Sequence, residues 1–328
     1  MRTDLSCFLQ CRFNIFLYLT LGRKIAKIYV FLLGRLYFYF NKKEKYRIRE
    51  TVLQVIGCRN QETDIEEITK KIFNGILSHY YEKLFIAFEE PEKASKFLDQ
   101  SIISEDLKIL HKKRLKGNGV IMVTGHYGAI EYIPTLLAIN NFPTSMIAKF
   151  KTEQLRKKLY SQAKRYNIRL IDAENAGNVI KSTMKELREN RIVVTPCDEI
   201  EEWRPLSKKQ MSFLGRVTFV DRTINVIRKR AGSEIVFGII HRYSLTKYKL
   251  IIHAYEDMLQ LLDRSSTSSV GETVLRFLER YIYANPEQWY QWRKYLDIKT
   301  LSAHDPSIEE PASQAILQPA FDRLHDKI

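Results

Sequence analysis

Cysteine is scarce in this chain: four in 328 residues, Cys7, Cys11, Cys58 and Cys197. No two form a CxxC pair, and no histidine stands at zinc-ligand spacing from them. Neither a disulfide framework nor a structural metal is expected, and reduced thiols suit a catalytic domain in the cytosol. There is no internal repeat and no low-complexity tract, which argues against a solenoid or a compositionally biased linker. Acidic residues are also short, 38 Asp and Glu against 53 Lys and Arg, leaving a formal charge of +15. Such a surplus implies an anionic partner: nucleic acid, an anionic membrane, or a phosphorylated or acidic substrate. No zinc finger, recognition helix or aromatic RNA-binding signature is present. Membrane and phosphate partners therefore account for the charge more economically than nucleic acid does.

A long uninterrupted apolar run is missing too. Phe13–Thr20 and Ile25–Phe40 are apolar and aromatic, but Arg23, Lys24, Lys27 and Arg35 break them. A membrane-spanning helix needs about 20 predominantly apolar residues, and no small-residue cleavage site marks a secretory signal. An aromatic, basic helix fits the membrane interface, where cations snorkel. Lys42, Lys43 and Lys45 extend its positive charge toward anionic lipid on the cytoplasmic face. A tilted span and an interfacial helix both remain open at this point.

What is present is a hydrophobic share of 45%, enough for a large core. From Lys43 to about Lys116 the apolar spacing is helical, and Pro91 opens a helix. Gly117-Asn118-Gly119 is a turn. Beyond it strands and helices alternate. Strands are expected over Val120–Thr124, Ser145–Phe150, Ile168–Asp172, Ile192–Pro196, Ile235–Ile240 and Lys249–His253. Helices are expected over Gly128–Ile139, Glu153–Tyr166, Asn178–Glu189, Thr218–Arg230 and Val270–Ala284, with an irregular loop over Cys197–Gly215. The pattern argues for an α/β fold, a mixed and mostly parallel sheet flanked by helices. The domain reading is 1–42 membrane-anchoring helix, 43–300 α/β catalytic domain and 301–328 polar tail.

The segment Gly119–Glu131 concentrates the chemistry. Its strand ends at Thr124-Gly125, His126 stands where the strand gives way, and Glu131 follows five residues later. Ends of strands in open α/β sheets are where reactive groups meet ligands. A histidine with a carboxylate to orient it can take a proton from a hydroxyl.

Gly125-His126-Tyr127-Gly128-Ala129-Ile130-Glu131 resembles the His-x4-Asp/Glu motif of the late acyltransferases of lipid A biosynthesis, within the lysophospholipid acyltransferase superfamily. Other blocks follow in the same order: Lys149 ending a strand, Arg165 before Ile168-Arg-Leu-Ile171, and Thr195-Pro-Cys-Asp198-Glu199. Met211-Ser-Phe213-Leu-Gly215-Arg216 precedes Thr218, and Asn285-Pro-Glu-Gln-Trp289-Tyr-Gln-Trp292 closes the series. The chain departs from the family pattern where Ala129-Ile130 replaces Asn-Trp and Glu199 replaces Gln. Those positions are expected to line the mouth of the site.

The resemblance implies a glycerolipid acyltransferase-like fold at the cytoplasmic side of the inner membrane. It implies transfer of a fatty acyl group from an acyl thioester, on acyl carrier protein or coenzyme A, directly to a hydroxyl. The acceptor would be a lipid A precursor, another glycolipid or a lysophospholipid, with no other cofactor and no acyl-enzyme. His126 would be the general base and Glu131 its orienter. Backbone N–H groups near Gly128 are candidates for the oxyanion, and Lys149 and Arg165 for clamping phosphate of the acceptor or carrier. Asp198 would bind substrate or orient Arg165 or a loop. Trp289 and Trp292 look like packing anchors, and Cys197 like an inert buried thiol. A non-catalytic basic membrane- or nucleic-acid-binding protein is the contrasting reading, against which the intact His126 and Glu131 argue.

Overall fold

The computed structural model describes residues 12–57, 64–150, 152–174, 178–199, 205–244, 246–263 and 269–297. The expected tail at 301–328, along with Cys7, Cys11 and Cys58, lies outside the described residues. Helix α1 (Arg12–Phe40) runs unbroken and is followed by α2 (Lys42–Val52), α3 (Ile65–Phe88), α4 (Pro91–Ser101) and α5 (Leu107–Arg114). Among the described residues no helix is long and apolar enough to cross a membrane. The start of α3 is fixed by Asp64, whose carboxylate accepts from the amides of Glu66 and Glu67 at 3.0 Å.

Strands β1 (Ile102–Ile103), β2 (Val120–Thr124), β3 (Thr144–Ala148), β4 (Arg169–Asp172) and β5 (Ile192–Pro196) join β8 (Glu234–Arg242) and β9 (Tyr248–Ala254) in one sheet. Its order is β1-β9-β8-β2-β5-β3-β4. Every pairing is parallel except β8 with β9. Helices α6 (Ile133–Ile139), α7 (Glu153–Arg165), α8 (Val179–Arg188), α9 (Thr223–Ala231), α10 (Tyr255–Leu261) and α11 (Val270–Ala284) complete the described set. The central strand β2 is buried at every position, and its apolar run is unbroken from Val120 to Val123, because both faces are covered. Ile121 and Val123 pack into one core, Val120 and Met122 into the other. The mixed, mostly parallel sheet expected from the alternation is the observed fold.

Two expectations needed correction. The stretch read as the loop Cys197–Gly215 contains a strand, β6 (Pro205–Phe213), paired antiparallel with β7 (Arg216–Asp221). Leu214 and Gly215, both at positive φ (50° and 83°), make the two-residue turn. That is the twist a tight hairpin needs. Thr218 therefore lies in a strand, and α9 begins only at Thr223. Its end at Gly232 is left-handed, φ 64°. The second correction concerns Gly128–Ile139. A turn occupies 126–129, a 3-10 turn covers Ile130–Tyr132, and the helix proper begins at Ile133.

Candidate active site

The parallel register of β2 and β5 builds the centre. Thr124 is level with Pro196, and the Cys197 amide donates to the Thr124 carbonyl at 2.7 Å. Two residues past that rung on each strand stand His126 and Asp198. The His126 ring donates from Nδ1 to Asp198 Oδ1 at 2.7 Å, since an ionised carboxylate can only accept. The His126 amide donates to the same carboxylate at 2.9 and 3.1 Å, and Trp289 Nε1 donates to it at 2.8 Å. Asp198 is fully buried. Three N–H donors on two oxygen atoms, the His126 amide shared between both, explain how a buried carboxylate is tolerated there.

The turn that carries His126 is clamped from below. Gly128 has φ 56°, and a Cβ there would lie 1.9 Å from the Ile240 carbonyl oxygen. The Gly128 amide donates to the Gln288 carbonyl at 2.8 Å and the Ala129 amide to Ile240 at 2.9 Å. Arg242 Nη2 donates to the Gly128 carbonyl at 3.1 Å, while two of its nitrogens grip buried Glu82 at 2.8 Å. The amides of Gly128 and Ala129 are thus committed to the fold and are not oxyanion donors.

Glu131 faces elsewhere than expected. Its carboxylate lies 3.5 Å from Lys83 Nζ and 3.8 Å from His79 Nε2, both on α3. The carboxylate on the His126 ring at Nδ1 is Asp198, not Glu131. Nε2 of His126 lies 3.0 Å from Glu199, which in turn is 3.3 Å from Lys294. Burial disfavours charge on the ring, but Asp198 and then Glu199 outweigh it and push the imidazole up to about 10. Burial also opposes charge on Glu199, yet its bond to His126 and the nearby Lys294 hold it well below the carboxylate range. Tyr290 stands edge-on to His126, ring centroids 5.0 Å apart, and stacks on His79 at 3.4 Å.

His126, Glu131 and Glu199 line one cavity of about 670 Å³, within the range of clefts that enclose small ligands, about 300–1,000 Å³. Its polar lining includes His79, Lys83 and Lys294. Its apolar lining includes Met146 and Ala148 of β3, Leu155, Leu159 and Ala163 of α7, and Leu170 of β4. Lys149 is on the cavity wall beside Glu174, at 3.7 Å. Arg165 does not line the cavity; it ends α7 with Lys164, where cations favour a helix C-terminus. Asp198 bonds the His126 ring rather than Arg165. Ala129 is buried in the core away from the cavity, whereas Ile130 borders it. The Cys197 thiol is buried, and burial pushes it well above its ordinary range, so it is no nucleophile.

Sequence reading missed Trp289 as a donor to Asp198, Tyr290 as a wall of the site, and His79 and Lys83 as its α3 contribution. The Gln288-Trp289-Tyr290 block was visible, and what it reaches was not. Residues 9–295 match the family model described as bacterial lipid A biosynthesis acyltransferase. No curated protein matches the chain.

Proposed function

The chain belongs to the bacterial lipid A biosynthesis acyltransferase family, and on that premise we propose how its site works: His126 is the general base and Asp198 the carboxylate that orients it. The donor is an acyl thioester, on acyl carrier protein or coenzyme A, and the acceptor a hydroxyl of a lipid A precursor. The observation that carries this reading is the His126–Asp198 pair beside a cavity lined by both cationic and apolar side chains. The acyl chain lies along the apolar lining, between α7 and β3, where each fully buried apolar group gains favourable transfer energy. The acceptor's polar head lies against Lys83, Lys149 and Lys294.

Nε2 takes the acceptor proton as the oxygen attacks the thioester carbonyl. Asp198 stabilises the imidazolium that forms, as the acid does in a triad. Collapse of the tetrahedral intermediate breaks the C–S bond, and the proton passes from Nε2 to the departing thiolate. Lys83 and Lys294 supply positive charge toward the oxyanion in place of the committed backbone amides. Glu131 holds Lys83 and His79 in the polar lining.

A membrane-surface role for α1 is part of the same proposal. Ile25, Ile28, Leu32, Leu36 and Tyr39 are at least half-exposed at helical spacing, and Lys42, Lys43 and Lys45 are exposed just beyond them. Glu44 and Ile48 of α2, the helix that follows α1, line the cavity. An interfacial helix on the cytoplasmic face of the inner membrane would bring the site to its lipid acceptor.

Two measurements test the function. His126→Ala is expected to abolish acyl transfer with the fold intact, and full activity in that variant refutes the base assignment. Mass spectrometry of lipid A from a deletion strain is expected to show the loss of one acyl chain. Unchanged lipid A with another glycolipid or a lysophospholipid altered would move the acceptor to that class, the alternative that Ile130 on the cavity wall favours.

A further inference from the structure

His126 is held at both ring nitrogens by carboxylates, Asp198 at Nδ1 (2.7 Å) and Glu199 at Nε2 (3.0 Å). Both partners only accept, so this arrangement needs a proton on each nitrogen. An imidazolium cannot take a proton from a hydroxyl. The two carboxylates are not equivalent. Asp198 is fully buried and is also tied to the His126 amide and to Trp289. Glu199 is 30% exposed, borders the cavity, and has Lys294 at 3.3 Å from its second oxygen.

We propose that Glu199 is a gate on the catalytic base, holding Nε2 until the acceptor hydroxyl displaces it onto Lys294. The proposal rests on the reading of His126 as the general base. Displacement leaves Nδ1 protonated against Asp198; the Nε2 proton passes to solvent, and Glu199 departs as the carboxylate. The ring is then neutral with Nε2 bare, facing the hydroxyl it must deprotonate. A lipid acceptor brings the binding energy to separate this charge pair, and a water molecule does not. The gate therefore protects the bound thioester from hydrolysis.

The groups around His126 are few among the described residues. The end of β5 contributes Cys197, Asp198 and Glu199, and the segment after α11 contributes Tyr290 and Lys294. Lys83 and His79 face the site from α3, with His79 stacked behind Tyr290, and Glu131 faces them from the turn after β2. Of these only Asp198 and Glu199 meet the ring nitrogens. Their charge, against burial, is what keeps the imidazole protonated.

The test follows carbethoxylation of His126 by diethylpyrocarbonate, which reacts with the neutral ring, by peptide mass spectrometry over a pH series on the full chain. Glu199→Gln is expected to lower the midpoint by about 1–3 pH units, the size of an opposite charge at contact. Lys294→Met, which removes the alternative partner and a repelling cation, is expected to raise it. Glu199→Gln is also expected to raise hydrolysis of an acyl thioester several-fold in the absence of acceptor. A Glu199→Gln midpoint at or above that of the unsubstituted protein overturns the gate, as does unchanged hydrolysis. The carbethoxylation needs no acyl transfer. An unsubstituted chain that fails to acylate a lipid A precursor would refute the proposed function while leaving the gate to be judged by the midpoints.

Discussion

Asp198→Asn separates the two carboxylates that compete for the role of orienter. Asp198 receives Nδ1–H at 2.7 Å, the His126 amide at 2.9 Å and Trp289 Nε1–H at 2.8 Å. Asparagine offers one acceptor oxygen and turns an NH2 toward at least one of those donors. The buried mismatch costs about 1–3 kcal/mol of stability. The larger effect is on rate, because the imidazolium formed in the transition state loses its counter-charge and its ring loses the tautomer that leaves Nε2 bare. In a serine-protease triad the same change costs about 10⁴ in kcat, or about 5 kcal/mol at 1.36 kcal/mol per decade. A loss of about 10³–10⁴ in kcat is expected here, with KM little changed. Glu131→Gln is expected to do the opposite, raising KM for the acceptor by freeing Lys83 while kcat stays within about tenfold. The assay is single-turnover transfer of a labelled acyl group, with thermal unfolding run in parallel. A folded Asp198→Asn protein within tenfold of full rate, together with a Glu131→Gln protein slowed a thousandfold, would refute the assignment.

Three further outcomes follow from the geometry. Gly128→Ala places a Cβ 1.9 Å from the Ile240 carbonyl at a φ of 56°; a loss of about 2–4 kcal/mol and of activity is expected, read from the denaturant midpoint. His241 bonds Tyr127 at 2.9 Å, and burial, with Arg242 and Lys249, pulls its ring down to about 4. A depressed histidine is neutral when folded and takes up a proton on unfolding, so stability falls as pH drops from about 6.5 toward 4, by at most about 1.4 kcal/mol per unit. His241→Gln should flatten that limb, and a limb of unchanged slope would assign the acid sensitivity to other groups. Ile28→Glu with Leu32→Glu, both on the exposed stripe of α1, should weaken binding to vesicles of anionic lipid by about tenfold or more. Undiminished cosedimentation would remove the stripe from the membrane contact.

Much of the sheet was legible because its strands carry their own signal. Val120–Thr124 and Ile192–Pro196 are short apolar runs between turn residues, and both were placed correctly. Val270–Ala284 kept its helical spacing from end to end. The hairpin β6–β7 was lost because its turn places Leu214, a residue that gives no turn signal, at positive φ. The strand runs straight into the helical pattern of α9, so periodicity there averaged two elements into one.

The sequence by itself determined the family, and with it acyl transfer as the class of reaction, and singled out His126 as the candidate reacting group. His126 at the end of an apolar strand, the ordered blocks behind it, and the basic aromatic N-terminus all lie within local stretches of chain. It could not determine which carboxylate meets the ring, since spacing along the chain favoured Glu131 at five residues. Only tertiary structure decided for Asp198, 72 residues away. The physical reason is the register of two adjacent parallel strands: Thr124 level with Pro196 carries the next residues of both strands to the same height. The same packing turned Glu131 toward α3 and brought Trp289, Glu199 and Lys294 to the site.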